Sequence, residues 1–387
     1  MKRLLYIAFK DFANLHFGAN AKVISQCRSF HSSGYDVELI GRRGADTVVM
    51  TNGGEPQTIS RGKNHIKNKR LSNLMDKHRQ IQDIESYIRN QSYDACYIRY
   101  DFSDPSFISL LKKLRKHCGK IALELPTYPY EDENKYGLLS KSKIMVDKIY
   151  RKQLHHYVDF IVTFYQGYDT LFGIPVMVIP NGFDFSTMRP ITQELQEDSI
   201  HIIAVSSMRE WHGYERFIEG MGAYYHTDEE NKRNIVLHLV GTGREYAKYK
   251  ALSEKYELSD HVVMEGAMHG EALDRLYEQC AIGIDSLARH RSGIDVLSSL
   301  KSREYGAKGI PMINSCRIDI LEADFPYMLQ VSADETPIDM NAVIQFYDRC
   351  FHSGQSRTAV AGEIRAYVEA RSGMTQTLAQ VCEGFAT

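Results

Sequence analysis

Short apolar runs alternate with amphipathic stretches along nearly the whole chain. Residues 4–9 (LLYIAF) form the first run, continuous enough for a strand buried on both faces of a parallel sheet. After the loop DFANLHFGANAKV, Val23, Ile24, Cys27 and Phe30 recur at helical spacing and predict a helix over about 21–32. Gly34 ends it, and residues 37–40 resume the strand pattern. The polar, basic residues 42–80 read as loop running into a helix through 81–89. Strands follow at 95–99, 121–125, 160–164 and 176–179, with helices at 106–117 and 141–157 and a short one at 166–172. Pro180, Asn181 and Gly182 then break the chain.

The alternation restarts beyond this break. Strands are predicted at 200–205, 235–240, 262–265 and 282–285, and helices at 214–225, 245–256 and 271–280. The stretch 292–314, SGIDVLSSLKSREYGAKGIPMIN, reads as loop, short helix and buried strand. Ser298 and Ser299 suit an N-cap, Gly309 suits a left-handed C-terminal position, and Pro311 prevents continuation. Residues 338–387 are mostly helical in pattern. Two strand–helix alternations in series predict an α/β fold of two Rossmann-like, doubly wound domains. Their expected spans are 1–178 and 179–365, with 366–387 a C-terminal helix returning toward the first domain.

Length agrees with that count, since 387 residues exceed one ordinary core. The seven cysteines are odd in number and scattered, without a CxxC pair, which predicts reduced thiols and a cytoplasmic protein. No stretch has the length and apolarity of a membrane span. Charge does change the picture. Residues 1–178 hold 27 Lys+Arg against 18 Asp+Glu, or +9, and residues 179–387 hold 20 against 31, or −11. A basic first half facing an anionic partner is the expectation.

Candidate chemistry gathers in two places. The helix predicted after Ser299 presents free N–H groups that attract an anion such as phosphate. Lys301 and Glu304 lie three apart, on one face of that helix. Taken alone, this stretch reads more economically as a surface ion pair. The second place is the loop 126–133, PTYPYEDE, at the end of a strand. There Tyr128 and Tyr130 offer flat faces for a sugar, and Glu131 and its neighbours offer hydroxyl acceptors. The loop fits a rigid cover over the core equally well. Asp101 and Glu124 join these as acceptor-side candidates.

Five pieces in order decide how to read the second half: IPNGFD (179–184), VSSMREWHG (205–213), LVGTG (239–243), VMEG (263–266) and LKSREYGAKGIP (300–311). Together they resemble the nucleotide-sugar domain of GT-B glycosyltransferases, family 4 above all, a retaining group that includes many enzymes building polysaccharides and lipopolysaccharides. The first half resembles it more loosely, through Gly18 before a helix. The resemblance implies a hexosyltransferase-type enzyme using a nucleotide diphosphate sugar, with the two domains facing a cleft. Glu304 then matches the glutamate that binds the donor's ribose hydroxyls, and Lys301 a lysine beside the diphosphate. Gly18, Gly241, Gly243 and Gly266 match positions where backbone approaches the donor.

Three departures stand out. The glutamate often found eight positions before Glu304 is Val296 here, with Asp295 beside it. An arginine and a lysine often found after the first strand of the second domain are Ser207 and His212. Arg209, and then Arg289 or Arg291, are left to meet the diphosphate. No DxD-type pair marks a metal site, so no metal and no cofactor beyond the donor are expected. The acceptor is expected to be a glycan or lipid-linked glycan, reached by peripheral contact at the inner face of the membrane. Two other readings stay open: a sugar-nucleotide epimerase of the same fold, and a pseudo-transferase that binds without turnover. Nucleic acid is not an expected partner, because the basic 61–79 segment carries no aromatic platform.

Overall fold

Leu4, Leu5, Tyr6, Ile7 and Ala8 are all fully buried, as a run without polar alternation requires. They belong to the central strand of a computed structural model that describes all residues except 14–17, 63–68, 129, 131–137, 196–197, 229–230 and 352–353. The chain divides into two units. One comprises Met1–Asp184 with Met374–Thr387, and the other Phe185–Gly373.

In the first unit the elements run β1 (Lys2–Asp11), α1 (Gly18–Ser32), β2 (Tyr35–Arg43), β3 (Asp46–Thr51), β4 (Gln57–Ser60), α2 (Lys69–Tyr87), β5 (Tyr93–Arg99), α3 (Pro105–Leu114), β6 (Cys118–Leu125), α4 (Leu138–Tyr150), β7 (Phe160–Thr163), β8 (Thr170–Leu171) and β9 (Ile174–Val178). Among the described residues the sheet order is β4-β3-β2-β1-β5-β6-β7-β9-β8. The inner strands β2, β1, β5, β6, β7 and β9 pair in parallel.

Both edges are antiparallel hairpins, and both correct the reading from sequence. Residues 46–51 and 57–60 form strands rather than loop, pairing on β2 and on each other. Asn52 and Gly53, both at positive φ (54° and 74°), sit just beyond β3. Residues 166–172 form no helix. Thr170–Leu171 pairs with β9 across Phe172 and Gly173, at φ 55° and 79°. In both places a short strand needs only a turn and a neighbour, whereas so short a helix leaves most of its backbone groups unpaired. The helix expected over 141–157 is α-helical to Tyr150 and continues as a tighter 3-10 segment, Arg151–His156.

The second unit runs β10 (Ile200–Val205), α5 (Tyr214–Tyr225), β11 (Ile235–Val240), α6 (Tyr246–Lys255), β12 (Val262–Gly266), α7 (Glu271–Gln279), β13 (Ile282–Ile284), β14 (Val296–Leu297), α8 (Leu300–Lys308), β15 (Met312–Asn314), β16 (Arg317–Ile318), β17 (Met328–Gln330), α9 (Met340–Phe351) and α10 (Arg357–Ser372). Its main sheet has the order β12-β11-β10-β13-β15-β17, all parallel. From β10 the chain steps outward to β11 and β12, then returns to place β13 on the other side of β10. The strand order reverses there, and ligands of doubly wound sheets bind beyond the strand ends at such a reversal.

The last helix, α11 (Met374–Ala386), belongs to the first unit. Its Met374, Leu378, Val381 and Phe385 join the core formed by Tyr6, Phe30, Tyr35 and Tyr97. The division therefore falls at 184/185 and 373/374, against the 178/179 and 365/366 read from sequence.

Candidate nucleotide-sugar site

Tyr305 holds the reversal together. Its hydroxyl accepts from the Val205 N–H at the end of β10 (3.3 Å) and donates to the Ile284 carbonyl at the end of β13 (3.0 Å). Gly283 makes room for it, since a Cβ there would lie 2.7 Å from the Tyr305 ring. α8 is thereby fixed with its N-terminus at the mouth of the sheet. Ser299 is the N-cap, accepting from the Ser302 N–H at 3.2 Å. Ser298 instead donates to Asp319 at 2.6 Å.

At this mouth lies Asp285, the first residue beyond β13 and fully buried (0% exposed). Lys301 Nζ reaches its Oδ1 at 3.0 Å, its backbone carbonyl at 2.6 Å and Ser286 Oγ at 3.1 Å. The Ser299 hydroxyl donates to the other carboxylate oxygen. Burial opposes ionisation of Asp285, but Lys301 and Ser299 outweigh it and hold the carboxyl below its ordinary value. Lys301 is drawn below its own ordinary value by burial, with Asp285 opposing and Arg289 adding to the shift. The lysine is therefore held by Asp285 and Ser286 rather than in the surface ion pair that the stretch alone suggested.

Glu304, one turn on, is placed differently. No hydrogen bond reaches its carboxylate among the described residues. Burial pushes its pKa up to about 7, with Lys301 pulling down and Asp285 pushing further up. A desolvated carboxylate without donors is costly, and one that a ligand's hydroxyls can satisfy is a binding group.

The loop after β10 supplies the facing wall. Arg209 begins a short 3-10 turn, Glu210–His212. Its backbone N–H donates to His212 Nδ1 at 2.9 Å, which leaves the ring hydrogen on Nε2. Burial, with Lys301, Arg289 and Arg209 nearby, drives the His212 pKa far down. His212 is thus a neutral donor. Ser207 is exposed on this loop.

The two further arginines separate cleanly. Arg291 is consumed by ion pairs, to Glu215 at 2.7 Å and to Glu335, with Nε on Glu335 at 2.8 Å. Arg289 stacks 5.6 Å over Trp211, and its buried Nε has no hydrogen-bond partner. Lys301 and Arg289 thus act on the buried carboxylate of Asp285, and Arg209 joins them around His212. Beside them stands Glu304, whose carboxylate no described group hydrogen-bonds.

The glycines have mixed causes. A Cβ on Gly241 (φ 119°) would meet the Ser206 carbonyl at 1.9 Å, and one on Gly243 the Ser207 carbonyl at 2.0 Å. Those glycines let the loop after β11 pack against the loop after β10. Gly266 (φ 70°) faces open space. Val296 lies in β14, paired beside Arg317 of β16, and the neighbouring Asp295 is exposed.

The first-unit candidates do not form one constellation. Gly18 opens α1, but the loop before it lies outside the described residues, as does Glu131. Glu124 is fully buried (0% exposed) and saturated. It accepts from Gln26 at 2.6 Å, from Tyr97 at 2.7 Å and from Arg99. It belongs to the interior, because a carboxylate ending a central strand under α1 is enclosed by both. Asp101 pairs with Lys143 at 3.3 Å. Tyr130 donates to the buried Asp147 at 2.5 Å, and Tyr128 stands edge-on to Tyr168 at 5.1 Å. Sequence reading missed Asp285 and Tyr305. Asp285 carried a signal, a carboxylate closing an apolar strand. Tyr305 carried none.

The comparisons with known proteins bear on this geometry. Residues 189–294 match the family Glycosyl transferases group 1. No curated protein matches the chain. Among solved structures, the sucrose-phosphate synthase of Thermosynechococcus elongatus is similar at TM-score 0.64 and 15% identity, with 99% of each chain covered. The catalytic domain of starch synthase IV from Arabidopsis thaliana, bound to ADP and acarbose, gives 0.63 and 12%, covering 100% of this chain and 99% of that one. A glycosyltransferase from Rickettsia africae gives 0.60 and 13%, covering 99% and 97%. At these identities the likeness shows the fold, which is the GT-B fold of two Rossmann-like units. Glycosyl transfer is the activity that the matched domain supports.

Proposed function

We propose that the chain transfers a hexosyl unit from a nucleotide diphosphate sugar to an acceptor hydroxyl on a glycan or lipid-linked glycan, with retention and without a metal ion. The observation that carries this reading is the buried Asp285–Lys301 pair beside Glu304, which no described group hydrogen-bonds, at the strand reversal of the second unit. The ribose diol satisfies Glu304, since one carboxylate accepts two vicinal hydroxyls. Arg209, Arg289, the His212 Nε2 hydrogen and the N-terminus of α8 face the diphosphate. Lys301, oriented by Asp285, supplies a cation to the leaving group as charge builds on it. These fixed charges do what a divalent cation does elsewhere. Retention and the glycan acceptor rest on the five motifs and their family resemblance.

Binding and turnover test this together. UDP, GDP and ADP, each with EDTA, are titrated into wild type and Glu304→Ala. One diphosphate stabilising wild type, EDTA-insensitive and much weaker in the variant, supports the donor site. Release of that diphosphate from its sugar in the presence of acceptor supports transfer. Binding without release points to a pseudo-transferase, and conversion of the donor without acceptor points to an epimerase.

A further inference from the structure

The first unit has a strand reversal of its own. From β1 the chain steps outward to β2, β3 and β4, then returns to place β5 on the other side of β1. The carboxyl ends of β1 and β5 therefore flank the position where a doubly wound sheet takes a ligand. On β5 that end is Arg99, paired in register with Ala8, so Lys10 stands two residues beyond the last β1–β5 pair. The β1–β2 register shifts between Ile7 and Asp11, an irregularity of the kind that re-aims a side chain at the end of a strand.

Most charged groups at this mouth are answered by a neighbour. Arg99 Nη1 donates to the buried Glu124, while its buried Nε has no hydrogen-bond partner. Lys143 pairs with Asp101 at 3.3 Å, and Lys77 lies 3.4 Å from Asp104 and donates to the Phe102 carbonyl at 2.7 Å. The Asp11 carboxylate accepts from the Ala13 and Gly44 N–H groups at 2.9 and 3.1 Å. Lys10 Nζ has neither a hydrogen bond nor an ion pair among the described residues. It is exposed, yet the protein around it lowers its pKa: desolvation leads, Arg99 and Lys143 add to the shift, and Asp101 opposes it. A lysine that solvent reaches and protein crowds stands in a hollow, and no carboxylate there offsets the desolvation of its charge.

We infer that Lys10 receives an oxyanion, a phosphate or carboxylate, carried by the acceptor, with Arg99 and Lys143 adding positive charge beside it. Lysine suits the task, as a compact charge with three donors on a flexible stem. The donor's diphosphate has its own cations in the second unit, Arg209, Arg289 and Lys301, which leaves Lys10 for the second substrate. The inference rests on the proposed glycosyl transfer and narrows its acceptor to a negatively charged one.

The test titrates the full chain with glucose 6-phosphate, glucuronate and glucose, each alone and then with UDP, GDP or ADP present. Wild type is expected to bind a charged sugar and to ignore glucose, and the sugar that binds tells phosphate from carboxylate. Lys10→Gln is expected to weaken that binding about tenfold and to keep nucleotide diphosphate affinity. Lys116→Gln, at an exposed lysine past the end of α3, should leave both unchanged. Thermal unfolding reports whether each variant is folded. Glucose binding as tightly as the charged sugars, no sugar binding at all, undiminished binding to Lys10→Gln, or an equal loss in Lys116→Gln overturns the inference. So does competition between the charged sugar and a nucleotide diphosphate, because Lys10 would then serve the donor. Charged-sugar binding that depends on Lys10 while no nucleotide diphosphate binds upholds the oxyanion site and counts against the donor reading alone.

Discussion

Each unit ends a central strand of its sheet in a buried carboxylate held by a cation. In the first it is Glu124 with Arg99, and in the second Asp285 with Lys301. Beyond that the two diverge. Glu124 accepts from Gln26, Tyr97 and Arg99, so its carboxylate is saturated by the protein itself, although the buried Arg99 Nε has no hydrogen-bond partner. Around Asp285 the network also closes, but it leaves the side chains of Glu304, Arg289 and Arg209 at its rim without acidic partners among the described residues. A buried ion pair at a strand end is thus part of the scaffold in both units. What distinguishes a site is the ring of groups the scaffold orients and does not satisfy.

The largest effects should come from breaking the two pairs. Asp285→Ala and Glu124→Ala each leave a buried cation uncompensated and should each cost about 3–5 kcal/mol, measured by denaturant unfolding. The comparison lies in binding. Asp285→Ala should also abolish nucleotide diphosphate affinity at temperatures where it is folded, and Glu124→Ala should leave that affinity intact. Equal loss in both would erase the distinction.

Next in size is Glu304→Gln. It should lower nucleotide diphosphate affinity about ten- to a hundredfold in calorimetry, since it weakens charge-assisted hydrogen bonds worth roughly 1.5–3 kcal/mol each. Unfolding free energy should fall little or rise, because no protein group depends on that carboxylate.

The two arginines give a sharper contrast within one loop. Arg289→Gln should weaken diphosphate binding about tenfold with little change in stability. Arg291→Gln should do the reverse, costing about 1 kcal/mol through its pairs with Glu215 and Glu335 and leaving affinity near wild type.

The smallest effect is in pH. Burial raises the folded pKa of Glu304 from its ordinary carboxyl value to about 7. Its contribution to stability is therefore fully present below the unfolded value and is lost as pH rises through about 7. Wild type should lose stability relative to Glu304→Gln across that window. Ligand hydroxyls favour the ionised form, so wild-type affinity should rise over the same window relative to the variant. Matched pH titrations of both proteins by thermal unfolding and calorimetry check the two signs.

Much of this was legible in the sequence. Lys301, Glu304 and Ser299 were placed on their helix because cap, helix formers and terminal glycine all lie within one local stretch. The strands of the second unit are continuous apolar runs, and periodicity finds such runs directly. The edge hairpins were not read, although Thr47–Met50 is apolar enough and Asn52-Gly53 is a hairpin signal. The surrounding basic residues masked both. Asp285 became visible as a site residue only when the sheet order put β13 beside β10. The saturation of Glu124 depends on Gln26, Tyr97 and Arg99, which are far apart in the chain. Whether an arginine is spent or spare, as with Arg291 and Arg289, is likewise a property of distant partners.

The central claim is that the second unit holds a metal-independent nucleotide diphosphate site completed by Glu304. The most direct measurement is calorimetric titration of UDP, GDP and ADP in EDTA against wild type and Glu304→Gln. The account predicts saturable binding of one diphosphate to wild type and a loss of at least about tenfold in the variant. Undiminished binding to the variant, or no binding of any diphosphate to folded wild type, would contradict it.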